Sequence, residues 1–208
     1  MKIIRYSLGE LQANCYFLIE NNNLLIIDPA DETSFILEEI QRQRLKLVGM
    51  LATHGHFDHI MAAGEIQKSF NVPLFINKKD QFLVDRLEET AKHFLSCQPI
   101  IFKPRNIEYF DPNKKTFRIP SFTLHIIFSP GHTPGSVCFY FEKEKIIFTG
   151  DTLFKSAIGR YDFSYSKEQD LKNSLKKILN LPDEAIVYPG HGEETVIKNE
   201  KNIIMTFF

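Results

Sequence analysis

The sequence is poor in cysteine. Cys15, Cys97 and Cys138 are the only three among 208 residues. Their odd number and wide spacing exclude the disulfide framework of a small secreted domain. Cys15 and Cys138 fall in apolar, strand-like runs and read as reduced, buried thiols. None of the three stands in a nucleophile's setting. Long apolar runs are missing as well: nothing approaches the ~20 residues of a membrane-spanning helix. The N-terminus, Met1-Lys2-Ile3-Ile4-Arg5, enters a strand pattern directly, without a signal segment. The expected compartment is therefore the cytoplasm, with no membrane partner. Neither sign of charge dominates, with 25 Lys and Arg against 26 Asp and Glu. Because the basic residues are dispersed, no nucleic-acid surface is expected. Hydrophobic content of 43% and charged content of 25% are those of an ordinary globular chain. The length suits one domain over residues 1–208.

Histidine is unevenly spread. Of seven in the chain, three lie in Thr53-His54-Gly55-His56-Phe57-Asp58-His59. The apolar run Val48 to Ala52 before this stretch reads as a buried strand. Ile60, Ala63, Ile66 and Phe70 after it recur at helical spacing. A strand-to-helix turn can aim several side chains at one point. Imidazole and carboxylate are the ligands that zinc and similar divalent metals take. Asp58, at the helix start, also suits the helix dipole. The alternative, surface histidines and a capping aspartate, does not account for so dense a cluster.

Taken in order, Asn14 to Ile19 and Leu24 to Ile27 form a hairpin across Asn21-Asn22-Asn23, since Asn tolerates the left-handed conformation. The second strand ends at Asp28-Pro29. A helix from about Asp31 buries Ile36, Leu37 and Ile40. Leu74 to Ile76 is a short strand, and Asp80 to Leu95 a helix with Leu83, Leu87, Ala91 and Phe94 on one stripe. His93 on this helix reads as a solvated or capping side chain. Residues 97–113, with three prolines, read as a loop or lid. Phe122 to Phe128 alternates as a strand, with His125 structural at its middle. Next come the turn Ser129 to Gly135 around His132, and the hairpin Val137–Phe141 and Ile146–Thr149, ending at Gly150-Asp151. Ser166 and Gln169 suggest a capping box for a helix carrying Leu171, Leu175, Ile178 and Leu179. Ala185 to Tyr188 is a strand into Pro189-Gly190-His191-Gly192. A last helix carries Val196 and Ile203.

The two halves echo each other. Asn14 to Asp28 and Cys138 to Asp151 are each strand, turn, strand, Asp. Each is followed by a helix, an apolar strand and a histidine turn. Each unit alone exposes an apolar sheet face, which pairing would bury. The expected fold is α/β: a four-layer αβ/βα sandwich of two mixed β-sheets flanked by helices. Every later His or Asp turn ends a strand. His54, His56, Asp58, His59, His132, Asp151 and His191 could thus converge on one edge. Seven ligands suffice for two metals that share a carboxylate.

Together these motifs resemble the metallo-β-lactamase superfamily, and within it the glyoxalase II-like hydrolases. The residues that carry the likeness are Thr53 to His59, Gly131-His132-Thr133-Pro134-Gly135, Gly150-Asp151-Thr152-Leu153-Phe154 and Gly190-His191-Gly192. The resemblance implies that His54, His56 and His132 hold one metal, that Asp58, His59 and His191 hold a second, and that Asp151 bridges. It implies two divalent ions, zinc foremost, with iron or manganese suited to the same donors. Asp58 and Asp151 would hold and orient metal or water. Arg160 stands where these enzymes place a basic residue that contacts the glutathione part of the substrate. It is expected to clamp a substrate carboxylate, against the plainer reading of a solvated surface arginine. Two departures touch the substrate. The family members have several helices after the last histidine ligand, where this chain has about one. They also carry an acidic-aromatic pair there, where this chain has Gly192-Glu193. Aspartate at 151, rather than cysteine, argues against the best-known antibiotic-hydrolysing members.

The implied reaction is hydrolysis of S-lactoylglutathione or a similar small thioester by a dinuclear-metal-bound hydroxide. The chain would act as a monomer or homodimer. The alternatives are a mononuclear-iron sulfur dioxygenase, a phosphodiester or lactam hydrolase of the same superfamily, and a non-enzymatic metal-carrying domain.

Overall fold

A computed structural model describes residues 1–95 and 99–204. Cys97 lies outside them, as does part of the 97–113 segment. The first half runs β1 (Lys2–Leu8), β2 (Ala13–Glu20), β3 (Asn23–Ile27), α1 (Thr33–Arg42), β4 (Lys46–Leu51), α2 (Phe57–Ile60), α3 (Ala63–Ser69) and β5 (Leu74–Ile76). A 3-10 turn (Lys78–Asp80) then leads to α4 (Gln81–Asp85), α5 (Leu87–Phe94) and β6 (Ile107–Tyr109). The second half runs β7 (Thr116–Ile119), β8 (Phe122–Phe128), β9 (Val137–Phe141), β10 (Ile146–Gly150), β11 (Leu153–Phe154) and β12 (Ala157–Ile158). It ends with α6 (Glu168–Leu179), β13 (Ile186–Pro189), β14 (Thr195–Val196) and α7 (Ile197–Ile204).

Two six-stranded sheets result, in the orders β1-β2-β3-β4-β5-β6 and β14-β13-β10-β9-β8-β7. The internal echo is visible in the pairing. Hairpin β2–β3 is antiparallel and β3–β4 parallel. Likewise β9–β10 is antiparallel and β10–β13 parallel. Helices α1 and α6 sit on the two parallel connections. The first hairpin turns through Asn21 and Asn22, at φ 50° and 62°, the left-handed conformation that asparagine tolerates.

Period-2 alternation sorts side chains into layers. In β9, Val137, Phe139 and Phe141 face the other sheet, packed with Tyr16, Leu18, Leu25 and Ile27. Cys138 and Tyr140 point outward onto Leu171, Leu175 and Ile178 of α6. In β2 and β3, Phe17, Leu24 and Ile26 face Ile36 and Ile40 of α1. Helix, sheet, sheet and helix therefore stack as four layers. Cys15 and Cys138 are free and buried. His125 pairs with Glu142 at 3.2 Å on the solvent side of β8.

Several local expectations are corrected. The helix expected over 80–95 breaks at Arg86, and the one after the histidine cluster breaks at Met61-Ala62. The segment read as a loop contains β6, and the edge strand β7 went unread. Ser166 does not cap α6; its hydroxyl instead donates to the His132 carbonyl at 2.6 Å. Val196 belongs to β14, and α7 buries Ile197, Glu200 and Ile204 in place of Ile203. Among the described residues, no helix is long and apolar enough to cross a membrane.

Candidate metal centre

Strand direction creates the site. β3, β4, β10 and β13 end on the same edge of the sandwich, and β8, two antiparallel steps from β10, ends there too. Their C-terminal ends deliver, in turn, Asp28, the 54–59 cluster, Asp151, His191 and the His132 turn. Backbone hydrogen bonds tie the sheets together there, from Val137 N to Thr53 O at 2.8 Å and from Asn14 N to Gly190 O at 2.7 Å.

All seven predicted ligands meet, in two groups. Potential donor atoms of His54, His56, His132 and Asp151 lie within 4.8 Å of one another, as do those of Asp58, His59 and His191. His56 Nδ1 is 3.0 Å from both His54 Nε2 and His132 Nε2. Asp58 Oδ2 is 3.3 Å from His191 Nε2 and 3.6 Å from His59 Nε2. Asp151 faces both groups: Oδ2 is 3.5 Å from His132 Nε2, and Oδ1 is 3.4 Å from His59 Nε2.

The outward nitrogens explain why the inward ones face the centre. His54 Nδ1 meets Thr53 Oγ1 at 3.1 Å, and that hydroxyl donates to Asp28 Oδ2 at 2.7 Å. His59 Nδ1 meets the same carboxylate oxygen at 2.9 Å. His132 Nδ1 meets the Arg160 carbonyl at 2.8 Å, and His191 Nδ1 the Gln12 carbonyl at 3.3 Å. His56 is turned the other way round, with Nε2 on Tyr165 Oη at 2.8 Å. Each outer nitrogen can therefore carry the proton, which leaves an inward lone pair. Such outer partners fix tautomer and ring orientation in metal sites.

The chemistry fits a divalent metal. Among the described residues, His59 Nε2 and Asp151 Oδ1 are the buried side-chain polar atoms without a hydrogen-bond partner. Such atoms are costly in a protein interior, and a cation between them would satisfy both. Gly190 is small because the space is taken: a Cβ there would lie 2.2 Å from Asp151 Oδ1. The charges are arranged to match. Burial opposes ionisation of Asp151, yet its neighbours, His59 foremost, outweigh it and hold the carboxyl well below its usual range. Burial, followed by the neighbouring His59 and His56, keeps His54 neutral. Burial also brings His56 down to about 3.

The sequence reading missed three residues here. Asp28 was read only as a strand end. It is buried and accepts from Thr53 N, Thr53 Oγ1 and His59 Nδ1. Its backbone is left-handed, at φ 50°, so the chain turns sharply to aim the carboxylate inward. Its echo of Asp151 at the end of the matching strand was the available signal. Asp80, read as a helix start, is fully buried. It accepts from Gly55 N at 2.9 Å, Thr133 Oγ1 at 2.7 Å and Gly135 N at 2.6 Å. It therefore joins the turn bearing His54 and His56 to the turn bearing His132. Asp80→Ala leaves three buried donors without their acceptor, so it is expected to cost about 3 kcal/mol of stability. Metal titration is the sharper check: the His54–His56–His132 group should weaken roughly 10-fold or more, while the Asp58–His59–His191 group keeps its ion. Tyr165 is the third. Phe163 stacks on its ring at 5.4 Å, and Phe82 meets it edge-on at 5.3 Å. Burial, followed by Asp80, raises its hydroxyl to about 12.

Arg160 stands beside the site, but its guanidinium is already engaged. Nε and Nη2 donate to both oxygens of Asp162 at 3.0 and 2.9 Å, and the group lies 4.5 Å from the Phe163 ring centroid. His93 lies on the exposed face of α5 and belongs to neither ligand group.

The architecture has counterparts among known proteins. The family model described as "Metallo-beta-lactamase superfamily" matches residues 8–191. A relative from Haemophilus influenzae named "Hydroxyacylglutathione hydrolase GloC" is 36% identical, over 91% of this chain and 90% of that one. The crystal structure of BLEG-1, titled a B3 metallo-beta-lactamase, superposes with a TM-score of 0.89 at 31% identity, over 97% of each chain. That of TTHA1623, in a di-iron-bound form, superposes with a TM-score of 0.84 at 32% identity, over 95% of this chain and 96% of that one. A strand-end cluster of five histidines and two aspartates, in a four-layer sandwich matched by the family model over most of its length, places this chain in the metallo-beta-lactamase superfamily.

Proposed function

We propose that the protein is a metal-dependent hydrolase of small thioesters. The observation that carries the reading is the meeting of two ligand groups at the Asp151 carboxylate, with a buried, unpartnered oxygen between them. The glutathione-thioester hydrolase name of the Haemophilus relative supports the substrate class. Five imidazoles and two carboxylates suit zinc, iron or manganese; we propose zinc. Two divalent ions at these donors would polarise the scissile carbonyl and lower the pKa of a bound water toward neutrality. The protein's own residues do the rest. Asp28, Thr53, Gln12, Tyr165 and the Arg160 carbonyl orient the histidines. The buried side chains around Asp151 exclude bulk water from the donors. A thiol, with a pKa of about 8.5, leaves without a strong proton donor.

The test is a substrate panel on metal-quantified protein: S-lactoylglutathione, smaller thioesters, a phosphodiester and a lactam. Thioester turnover that rises with metal content toward two equivalents is the expected result. Lactam hydrolysis is the second reading, favoured by the likeness to BLEG-1. Lactam cleavage without thioester cleavage would replace the proposal. A firm ceiling of one metal equivalent would remove its dinuclear part.

Arg160 is proposed to contact an anionic part of the substrate. Its side chain is 62% exposed, and the guanidinium has donors to spare beyond the Asp162 pair. Arg160→Ala is expected to raise KM for an anionic thioester roughly fivefold, the size of an exposed charge contact. Metal content should stay constant. Asp162→Asn should shift KM the opposite way, because it frees the guanidinium and removes a like charge. If KM is unmoved in both variants, Arg160 is only a surface residue.

A further inference from the structure

Hydrogen-bond bookkeeping at His56 leaves one donor unspent. The three nitrogens His56 Nδ1, His54 Nε2 and His132 Nε2 converge at 3.0 Å, so Nδ1 is the metal-facing atom of His56. A neutral imidazole that ligates through Nδ1 carries its proton on Nε2. The contact to Tyr165 Oη at 2.8 Å is therefore donated by the histidine, and the phenol accepts. The phenol's own proton then has no acceptor among the described residues. Tyr165 is half-buried, and its ring is held between Phe163 and Phe82. The hydroxyl thus keeps a fixed position beside the metal site without flexible parts to order, the condition under which one hydrogen bond contributes most to recognition.

We propose that Tyr165 is a specificity residue, which donates this free proton to an acceptor on the bound substrate. The inference rests on the hydrolase reading above. Geometry limits which acceptor it can be. The hydroxyl is separated from the metal-facing Nδ1 by the width of the imidazole ring, so it serves an atom a few bonds from the scissile carbonyl. The substrate class is thus a thioester with an oxygen acceptor on its acyl or thiol arm, lying against the Phe82–Tyr165–Phe163 wall. No charge on that acceptor is called for, since a neutral phenol donates to a neutral oxygen such as a hydroxyl, carbonyl or amide.

The experiment uses the metal-loaded 208-residue chain and four thioesters. Lactoyl and propionyl groups are each joined to N-acetylcysteamine and to butanethiol, so that each arm appears with and without an acceptor. The wild type is expected to prefer the acceptor on one arm. Tyr165→Phe keeps the ring and removes the hydroxyl. At saturating metal it is expected to erase that preference, by lowering kcat/KM about five- to tenfold more, the worth of one neutral hydrogen bond, for substrates bearing the acceptor than for those without it. Because the substitution also removes the outer partner of His56, metal is supplied in excess and its content measured in both proteins. An equal loss on all four thioesters at matched metal content would overturn the inference, because Tyr165 would then act only by holding His56. If the wild type cleaves none of the four, the thioester proposal fails by itself. The inference is then read by calorimetric titration of lactate, propionate, N-acetylcysteamine and butanethiol into the metal-loaded protein. A preference for an acceptor-bearing fragment that Tyr165→Phe abolishes sustains it, and no preference ends it.

Discussion

Asp151→Ala is expected to strip the protein of most of its metal and to lower turnover at least ~10³-fold. The magnitude follows from what the ions contribute: Lewis-acid stabilisation is worth several kcal/mol of barrier, and each 1.36 kcal/mol is a factor of about ten. Asp151 differs from every other candidate ligand in facing both groups, with its two oxygens 3.4 Å from His59 and 3.5 Å from His132. Removing it leaves three imidazoles on one side and two imidazoles with Asp58 on the other, and no shared anion between them. Asp58→Ala is the control. It should lose the ion held with His59 and His191 and keep much of the other. Metal quantification of both variants after identical reloading checks this ordering. If Asp151→Ala kept as much metal as Asp58→Ala, Asp151 would not be the bridge.

Asp28→Ala is expected to have the second-largest effect, although no metal contact is assigned to Asp28. The substitution leaves three buried donors, Thr53 N, Thr53 Oγ1 and His59 Nδ1, without an acceptor. Each costs about 1–3 kcal/mol, so a loss of at least about 3 kcal/mol in unfolding free energy follows. His54 and His59 belong to different ligand groups, yet their outer nitrogens lead to this one carboxylate, His54 by way of Thr53. Affinity at both groups should therefore fall about 10- to 100-fold, as for loss of an outer-shell partner. Denaturation with and without added zinc separates the two effects. An affinity change confined to the His59 group would show that the Thr53 relay does not matter.

The histidine cluster, the strands and the layer order could be read from sequence because they rest on local pattern. Alternating apolar runs sort the layers, and every candidate ligand ends a strand or opens a helix. What could not be read depends on distant partners. Asp80 looked like a helix start, since its acceptors' purpose lies 25 and 53 residues away, at Gly55 and Thr133. Ser166 looked like a cap because the local box was present, yet a carbonyl 34 residues upstream took its hydroxyl. Tyr165 sat in no motif; only the folded loop carries it to His56. Gly190 was recognisable as a turn glycine, but the pressure from Asp151 that forbids a Cβ there was not. Strand β7 was missed for another reason: it is a short edge strand with alternate residues exposed, and it lacks an apolar run.

The ligands come from the ends of strands in both sheets, and that origin makes the metal a coupling agent in folding. Before the two halves dock, the chain offers the 54–59 cluster alone, without His132, Asp151 or His191. Affinity gained on completing the set therefore appears as cohesion between the halves, and free metal concentration becomes a thermodynamic variable of stability. At about 100 times the dissociation constant, an ion adds roughly 2.7 kcal/mol. A cell that limits metal would thus set both how much of this protein is active and how much of it survives.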